Sequence, residues 1–249
     1  NEIGLDPGID HLSAQKTIDY IHNKGGKILA FHSYCGSLPA PGNSDNPFRY
    51  KIGWSPKGVA LAGRNRAKYL KGGEEINVNP DDLFSHYFRM PIEDIGEMEI
   101  YPNRDSIQYL AKYNIEEANE IFRGTIRYPE WCDLWLAISR SGLLSTDEME
   151  LSGLTCREFT CEKLDSGINN PRDAFLSCLD YKPPEEVLDK LEWLGLFSDS
   201  KIGIEKGASI DVLVNLMGEK LAYRDGEKDM VILQDEIVGE INGEKKIYI

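Results

Sequence analysis

The sequence lacks any apolar run of the ~18 residues that a membrane-crossing helix needs, which excludes a helical membrane span. Its first residues, Asn1-Glu2-Ile3-Gly4, carry neither a basic region nor an apolar core, so no signal peptide is expected there. They also lack an initiator methionine, and the chain is expected to be a piece of a longer polypeptide. No G-x-G-x-x-G fingerprint joins a strand to a helix. Gly4-Leu5-Asp6-Pro7-Gly8 has glycines at the wrong spacing, and Pro7 removes a backbone donor. A phosphate-binding Walker loop, an HExxH pair and a G-x-S-x-G elbow are equally missing. Histidine is scarce: no two of His11, His22, His32 and His86 have metal-ligand spacing. Cys156 and Cys161 are set wrongly for zinc, so no metal site is expected.

Basic residues are also in deficit. Lys and Arg total 28 against 42 Asp and Glu, a net charge of −14. Such a surface repels nucleic acid and anionic membranes, and neither is expected as a partner. The five cysteines are odd in number and irregularly placed, in a chain too large to need staples. That favours reduced thiols and a cytoplasmic location.

What is present is an ordinary globular balance, 41% hydrophobic and 28% charged over 249 residues, enough for one large domain or two unequal ones. Asp10 as N-cap and apolar Leu12, Ile18 and Ile21 predict a helix over 10–24, stopped by Gly25-Gly26. Strands are expected at 27–35 and 48–54, with a Gly/Pro/Asn-rich loop between them. Ser55-Pro56 opens a helix expected to run to about Leu70 and to end at Gly72-Gly73. A strand at 97–101, a helix to Tyr113 and a strand at 120–128 follow. From Pro129 to Leu196 the patterns are short and helical, with examples at 131–141, 172–179 and 185–194. The chain closes with a helix at 209–221, strands at 229–234 and 237–241, an Asn242-Gly243 turn and a strand at 245–249. The reading is an α/β (α+β) fold: a mixed sheet flanked by helices, with an inserted, mostly α-helical subdomain. Residues 1–128 and 197–249 form the α/β part and 129–196 the insert.

Three segments place polar groups where glycine or proline breaks regular structure. In Gly4–His11, Asp6 is either a plain turn residue or a carboxylate aimed at an ammonium group. In Ser33-Tyr34-Cys35-Gly36, the thiol at a strand end is either half-buried packing or a donor, acid or nucleophile. Tyr101-Pro102-Asn103-Arg104-Asp105-Ser106 and Arg123-Gly124-Thr125-Ile126-Arg127-Tyr128 bring up to three arginines to strand ends. An arginine grips a carboxylate through two parallel N–H bonds, so this suits an anionic small molecule as well as it suits surface ion pairs.

These segments, with the whole of Asn1–His11, Leu38-Pro39-Ala40-Pro41, Trp54-Ser55-Pro56-Lys57-Gly58-Val59, Trp193-Leu194-Gly195-Leu196-Phe197 and Gly226–Val231, resemble in order the blocks of the glutamate-forming saccharopine dehydrogenases. The likeness is weakest over about 130–190. It implies a saccharopine-binding part of a lysine-pathway oxidoreductase, which interconverts saccharopine with glutamate and aminoadipate semialdehyde by hydride transfer at a C–N bond. The cofactor implied is NADP or NAD, held mainly by a Rossmann domain that this chain lacks, so the chain alone is expected to be inactive. Carried over residue by residue, Asp6 and Cys35 take the catalytic positions. Asp6, Gly36, Arg104, Thr125, Ile126 and Arg127 take the substrate-binding ones. Leu5, Asp6, Pro7 and Trp54 take the edges that approach the nucleotide. Ser37 departs from the family, which usually has a second glycine there. The alternatives are a ligand-binding or regulatory module that has lost catalysis and a related carboxynorspermidine-type dehydrogenase. The oligomeric state is not fixed by sequence and a homodimer stays open.

Overall fold

The structure is a computed structural model that describes residues 4–164 and 167–249. Asn1-Glu2-Ile3, the start of the first block above, lies outside the described residues. Helix α1 (Ile9–Asn23) leads into β1 (Lys27–Pro39). Then come α2 (Pro56–Ala62), β2 (Ala67–Lys71), β3 (Glu74–Val78), a 3-10 turn (Pro80–Ser85), β4 (Phe88–Ile92), β5 (Gly96–Pro102), α3 (Gln108–Tyr113) and β6 (Glu120–Arg127). A stretch dominated by helices holds α4 (Trp131–Arg140), the short β7 (Met149–Glu150), α5 (Cys156–Lys163), α6 (Pro171–Ser177) and α7 (Glu185–Leu194). Short β8 (Lys206–Gly207), α8 (Ser209–Lys220), β9 (Asp229–Ile241) and β10 (Glu244–Tyr248) complete the chain. The fold class is the expected one, a mixed sheet flanked by helices.

The sheet is ordered β10-β9-β1-β6-β2-β3, with β5 pairing with β6 and β4 with β5. Only β1 and β6 run parallel, with Ser33 beside Arg123 and Cys35 beside Thr125. Side chains alternate across a pleat, so Ser33 and Cys35 share one face with Arg123, Thr125 and Arg127. On that side α1 buries Ala14, Ile18 and Ile21 with Phe31, Tyr109 and Tyr113 in one apolar cluster. A larger cluster runs from Leu38, Ile100 and Ile126 of the sheet through Trp131 and Trp135 to Leu191 and Leu213.

Five expectations fail for identifiable reasons. Residues 48–54 bury Phe48 and Tyr50 alternately but have no partner strand; Asn46 Nδ2 donates to the Tyr50 carbonyl instead (2.8 Å), and Ile52 makes a lone bridge to Ala222. The helix from Pro56 stops at Ala62 rather than Leu70. Gly72 and Gly73 have φ of +58° and +82°, which turns β2 back into β3 as a hairpin instead of ending a helix. Asp10 is not the N-cap, a position held by Gly8; it sits in the first turn, where its Oδ1 accepts from the Gly8 amide (2.7 Å). Strands 229–234 and 237–241 are one strand, because Asp235 and Glu236 lie opposite Ser33 and His32 and so keep polar partners within the ladder. β1 likewise runs past Cys35 to Pro39, held by the length of β9. β4, with Pro91 inside it, pairs only with β5, as an edge strand can.

Candidate functional site

Where β1 and β6 end, the sheet opens into a cleft of about 840 Å³, the position at which parallel strands commonly present ligand groups. Asp6, Pro7, Cys35, Gly36, Trp54, Arg104, Thr125 and Arg127 all line it. Leu5 and Ile126 do not. Ile126 is fully buried and points into the larger core cluster, since its parity on β6 is opposite to that of Thr125 and Arg127. Its backbone serves the site indirectly: its carbonyl accepts from Arg127 Nη1 at 2.7 Å.

Gly36 is required by this approach of strands. A Cβ there would lie 2.6 Å from the Ile126 carbonyl oxygen and 2.8 Å from its Cβ. At the other wall Trp54 is 62% exposed, its indole lying over Gly58 of α2 so closely that any side chain at 58 would displace it. Ser55 fixes the start of that helix by accepting from the Gly58 amide (3.1 Å).

The cationic residues have three different situations. Arg104 projects from a turn whose backbone is clamped on both sides: Asn103 N–H donates to the Arg123 carbonyl (2.8 Å), and the Arg104 carbonyl accepts from Lys68 (2.8 Å). Its own φ is +53°, a left-handed conformation that a non-glycine residue keeps only where its surroundings impose it. Its side chain is exposed and forms no ion pair or hydrogen bond with any described residue. Arg127 lies between two rings, 5.1 Å from Tyr50 and 5.2 Å from Trp131, and its buried Nε has no hydrogen-bond partner among the described residues. Arg123 is 9% exposed and already occupied: Nη2 donates to Asp6 Oδ1 and to Asp10 Oδ2, each at 2.7 Å. Its face is covered by Tyr109 at 4.3 Å.

The Asp6 loop is held by Gly4 N–H to the Pro7 carbonyl (3.1 Å), Ile9 N–H to the Gly4 carbonyl (3.0 Å) and Asp10 N–H to the Leu5 carbonyl (3.0 Å). The Asp6–Pro7 peptide bond is cis. Burial pushes the Cys35 thiol up to about 12, with the Asp6 and Asp10 carboxylates adding to it and Arg127 and Arg123 opposing. At neutral pH the group is a neutral S–H, a weak donor and no nucleophile. Counting the lining, Arg104, Lys112, Arg123 and Arg127 outnumber Asp6 and Asp105, so a chain of net charge −14 has a cleft of net positive charge. Among the described residues no group of three His, Cys, Asp or Glu side chains could hold a metal ion. No helix among them is long and apolar enough to cross a membrane.

The separate condition of Arg123 was not legible from the sequence, where the three arginines look alike. Strand alternation could have put Arg123, Thr125 and Arg127 on one face; nothing in the sequence says that Asp10, 1% exposed, closes the pair with Arg123.

Comparison with known proteins gives a consistent result. A family model described as the saccharopine dehydrogenase C-terminal domain matches residues 4–248. The NADP(+)-dependent, L-glutamate-forming saccharopine dehydrogenase of Saccharomyces cerevisiae is 42% identical over 94% of this chain and 54% of its own length. An alpha-aminoadipic semialdehyde synthase of Arabidopsis thaliana is 36% identical over 99% of this chain and 25% of its own. A solved structure of apo saccharopine dehydrogenase (L-Glu forming) from Saccharomyces cerevisiae superposes with a TM-score of 0.90 at 40% identity, covering 99% of this chain and 57% of that one. The chain thus spans about half the length of the saccharopine dehydrogenases it matches.

Proposed function

The chain belongs to the family of saccharopine dehydrogenase C-terminal domains, and from that premise we propose that it is the saccharopine-binding portion of an NADP-linked, glutamate-forming saccharopine dehydrogenase of lysine metabolism. The observation that carries the reading is the positive cleft in a strongly acidic chain, with Arg104 and the Nε of Arg127 left without acceptors among the described residues. Saccharopine has three carboxylates and one secondary amine. Two arginines suit the carboxylates, and the Asp6 carboxylate suits the nitrogen that becomes cationic.

In this reaction saccharopine loses a hydride and a proton to give an imine. Water then adds across the C=N bond, releasing glutamate and aminoadipate semialdehyde. The nicotinamide, when bound, supplies the hydride acceptor. Asp6 offsets the positive charge on the iminium nitrogen, and Arg104 and Arg127 fix the carbon skeleton so that one face of the C–N bond is presented. Thr125 and the backbone at Gly36 add polar contacts, and Cys35 contributes a neutral donor. The residues present fit only an edge of the dinucleotide: the exposed Trp54 indole offers a flat apolar wall, and Asp6-Pro7 line the same cleft. The rest of the nucleotide is assigned to a Rossmann domain outside this sequence. Residues 1–128 and 197–249 carry the ligand in this reading, while 129–196 buttress it from behind Arg127. The location assigned is the cytoplasm.

The test is saccharopine-dependent reduction of NADP, and of NAD, by the full parent polypeptide, followed by nicotinamide absorbance, with the chain alone as control. The expected result is turnover by the parent with NADP and none by the chain. No reduction of either nucleotide by the parent would overturn the proposal.

A further inference from the structure

Three arginines line the cleft, and their surroundings divide them. Among the described residues Arg104 has no acceptor, and Arg127 keeps an unpartnered Nε. Arg123 has both: an internal acceptor for each bond that Nη2 makes, and a ring over its face. It is the least suited of the three to take a substrate carboxylate, because the two carboxylates already on its Nη2 leave a net negative charge there. The alternative use of its charge is visible in the geometry. One nitrogen joins the second residue of α1, Asp10, to the loop residue Asp6, and the guanidinium is anchored to the sheet through β6. Its backbone is tied in turn: the Arg123 amide donates to Ser106 Oγ (2.9 Å) and its carbonyl accepts from Asn103, next to Arg104.

We infer that Arg123 is a positioning residue that aims Asp6 at the reacting nitrogen, and that only Arg104 and Arg127 bind substrate carboxylates. This rests on the proposed saccharopine reaction. Two carboxylates on one guanidinium leave a single net negative charge at the Asp6 end of the cleft. That matches one cationic nitrogen, while the two remaining arginines match the dianionic end of the substrate. A backbone loop of two glycines and a proline cannot hold the Asp6 side chain by itself, and Asp10 would repel it. Arg123 removes that repulsion and fixes the distance in one contact.

The experiment compares Arg123→Ala, Arg123→Lys and Arg104→Ala in the full parent enzyme by steady-state kinetics. Hydrogen–deuterium exchange of the Gly4–Asp10 loop is followed on the same proteins. For Arg123→Ala the expected result is a fall in kcat of about 100-fold with KM for saccharopine within about threefold of wild type. Guanidinium chloride far below denaturing concentration should restore about a tenth of the lost rate, and Arg123→Lys should fall between wild type and Ala. Exchange at the loop amides should quicken in Arg123→Ala and slow again on adding guanidinium. Arg104→Ala should show the opposite kinetics, a raised KM at nearly constant kcat. A raised KM at constant kcat in Arg123→Ala would make Arg123 a third substrate clamp and overturn the inference. So would a rate loss that neither lysine nor guanidinium recovers, which is what a merely structural role gives. If wild-type parent turns over no saccharopine, the proposed function falls, and loop exchange with and without guanidinium still decides whether Arg123 positions Asp6.

Discussion

At the scale of the residue, Cys35 and Arg104 illustrate how environment decides chemistry. A cysteine at a strand end beside glycine reads equally as a nucleophile or as packing. Here burial comes first and the nearby Asp6 and Asp10 carboxylates second, and together they push the thiol from an ordinary 9.0 to about 12. The thiolate fraction at pH 7 is then about a thousandfold below that of an unshifted cysteine. Alkylation of Cys35 by iodoacetamide, followed by mass spectrometry, should be slow at pH 7 and rise about tenfold per pH unit without levelling off below about pH 11. Rapid labelling at pH 7 would mean a stabilised thiolate and reopen the nucleophile. Cys35→Ser should keep most of the parent's turnover, because serine preserves a neutral donor. Arg104 has the reverse character, a cation that pairs with none of the described residues. Arg104→Ala in the parent should raise KM for saccharopine about 10- to 100-fold, the worth of a charge-assisted bond of about 1.5–3 kcal/mol. An unchanged KM would remove Arg104 from the ligand site.

At the scale of the element, what the sequence revealed depended on whether a signal was local. α1, α8, β6 and the Asn242-Gly243 turn were readable because periodicity, glycine stops and turn residues are short-range information. Residues 48–54 and the Gly72-Gly73 pair were misread because alternation and glycine do not say whether a partner strand exists; Asn46 and β3 supply the answers from outside the window. Glu99 is a further case with a measurable consequence. It is a charged residue in the middle of β5 with no exposure, and nothing in its sequence neighbours explains it. Its Oε1 accepts from the Glu130 amide and its Oε2 from the Cys132 amide, both at 2.9 Å, so it caps the N-terminus of α4 from a different element. Glu99→Ala would leave one buried and one part-buried donor without acceptors and remove the charge that faces the helix dipole. A loss of about 3 kcal/mol is expected in urea unfolding. Arg89 touches the same carboxylate at 3.5 Å but is largely exposed, so Arg89→Ala should cost under about 1 kcal/mol. Equal losses in the two variants would show that Glu99 is held by its ion pair and not by the helix.

At the scale of the whole molecule, the chain pattern alone suggested a sheet domain with a helical insert at 129–196. The shift from strand to helix after Pro129 is real, yet secondary-structure texture carries no information about where cores end. One apolar cluster runs from Leu38 and Ile126 of the sheet through Trp131 and Trp135 of α4 to Leu191 of α7 and Leu213 of α8. Other contacts cross the same boundary: Arg140 Nη2 meets Asp82 Oδ1 at 2.9 Å, and Tyr50 rests on Trp131 with ring centroids 4.6 Å apart. A division that left each part folded alone would expose Trp131 and Trp135, side chains that bury on the order of 200 Å² each. At roughly 25 cal/mol per Å² that is several kcal/mol for the two, comparable with the whole stability of many domains. The helical stretch should therefore not melt by itself. Three of the four tryptophans, Trp131, Trp135 and Trp193, lie in it, whereas most strand residues lie outside it. Tryptophan fluorescence thus reports on the helical stretch, and far-UV circular dichroism sums over the entire fold. In urea the two signals should share one midpoint, and calorimetric and van't Hoff enthalpies should agree, as in a single cooperative unit. A fluorescence transition at lower urea than the dichroism transition would instead establish 129–196 as a separately stable subdomain. Arg127, braced between Tyr50 and Trp131, would then lose one wall before the sheet unfolds, and saccharopine binding should disappear with the earlier transition. With one transition, binding and fold are lost together, because the ring that braces the arginine belongs to the same core that holds the sheet.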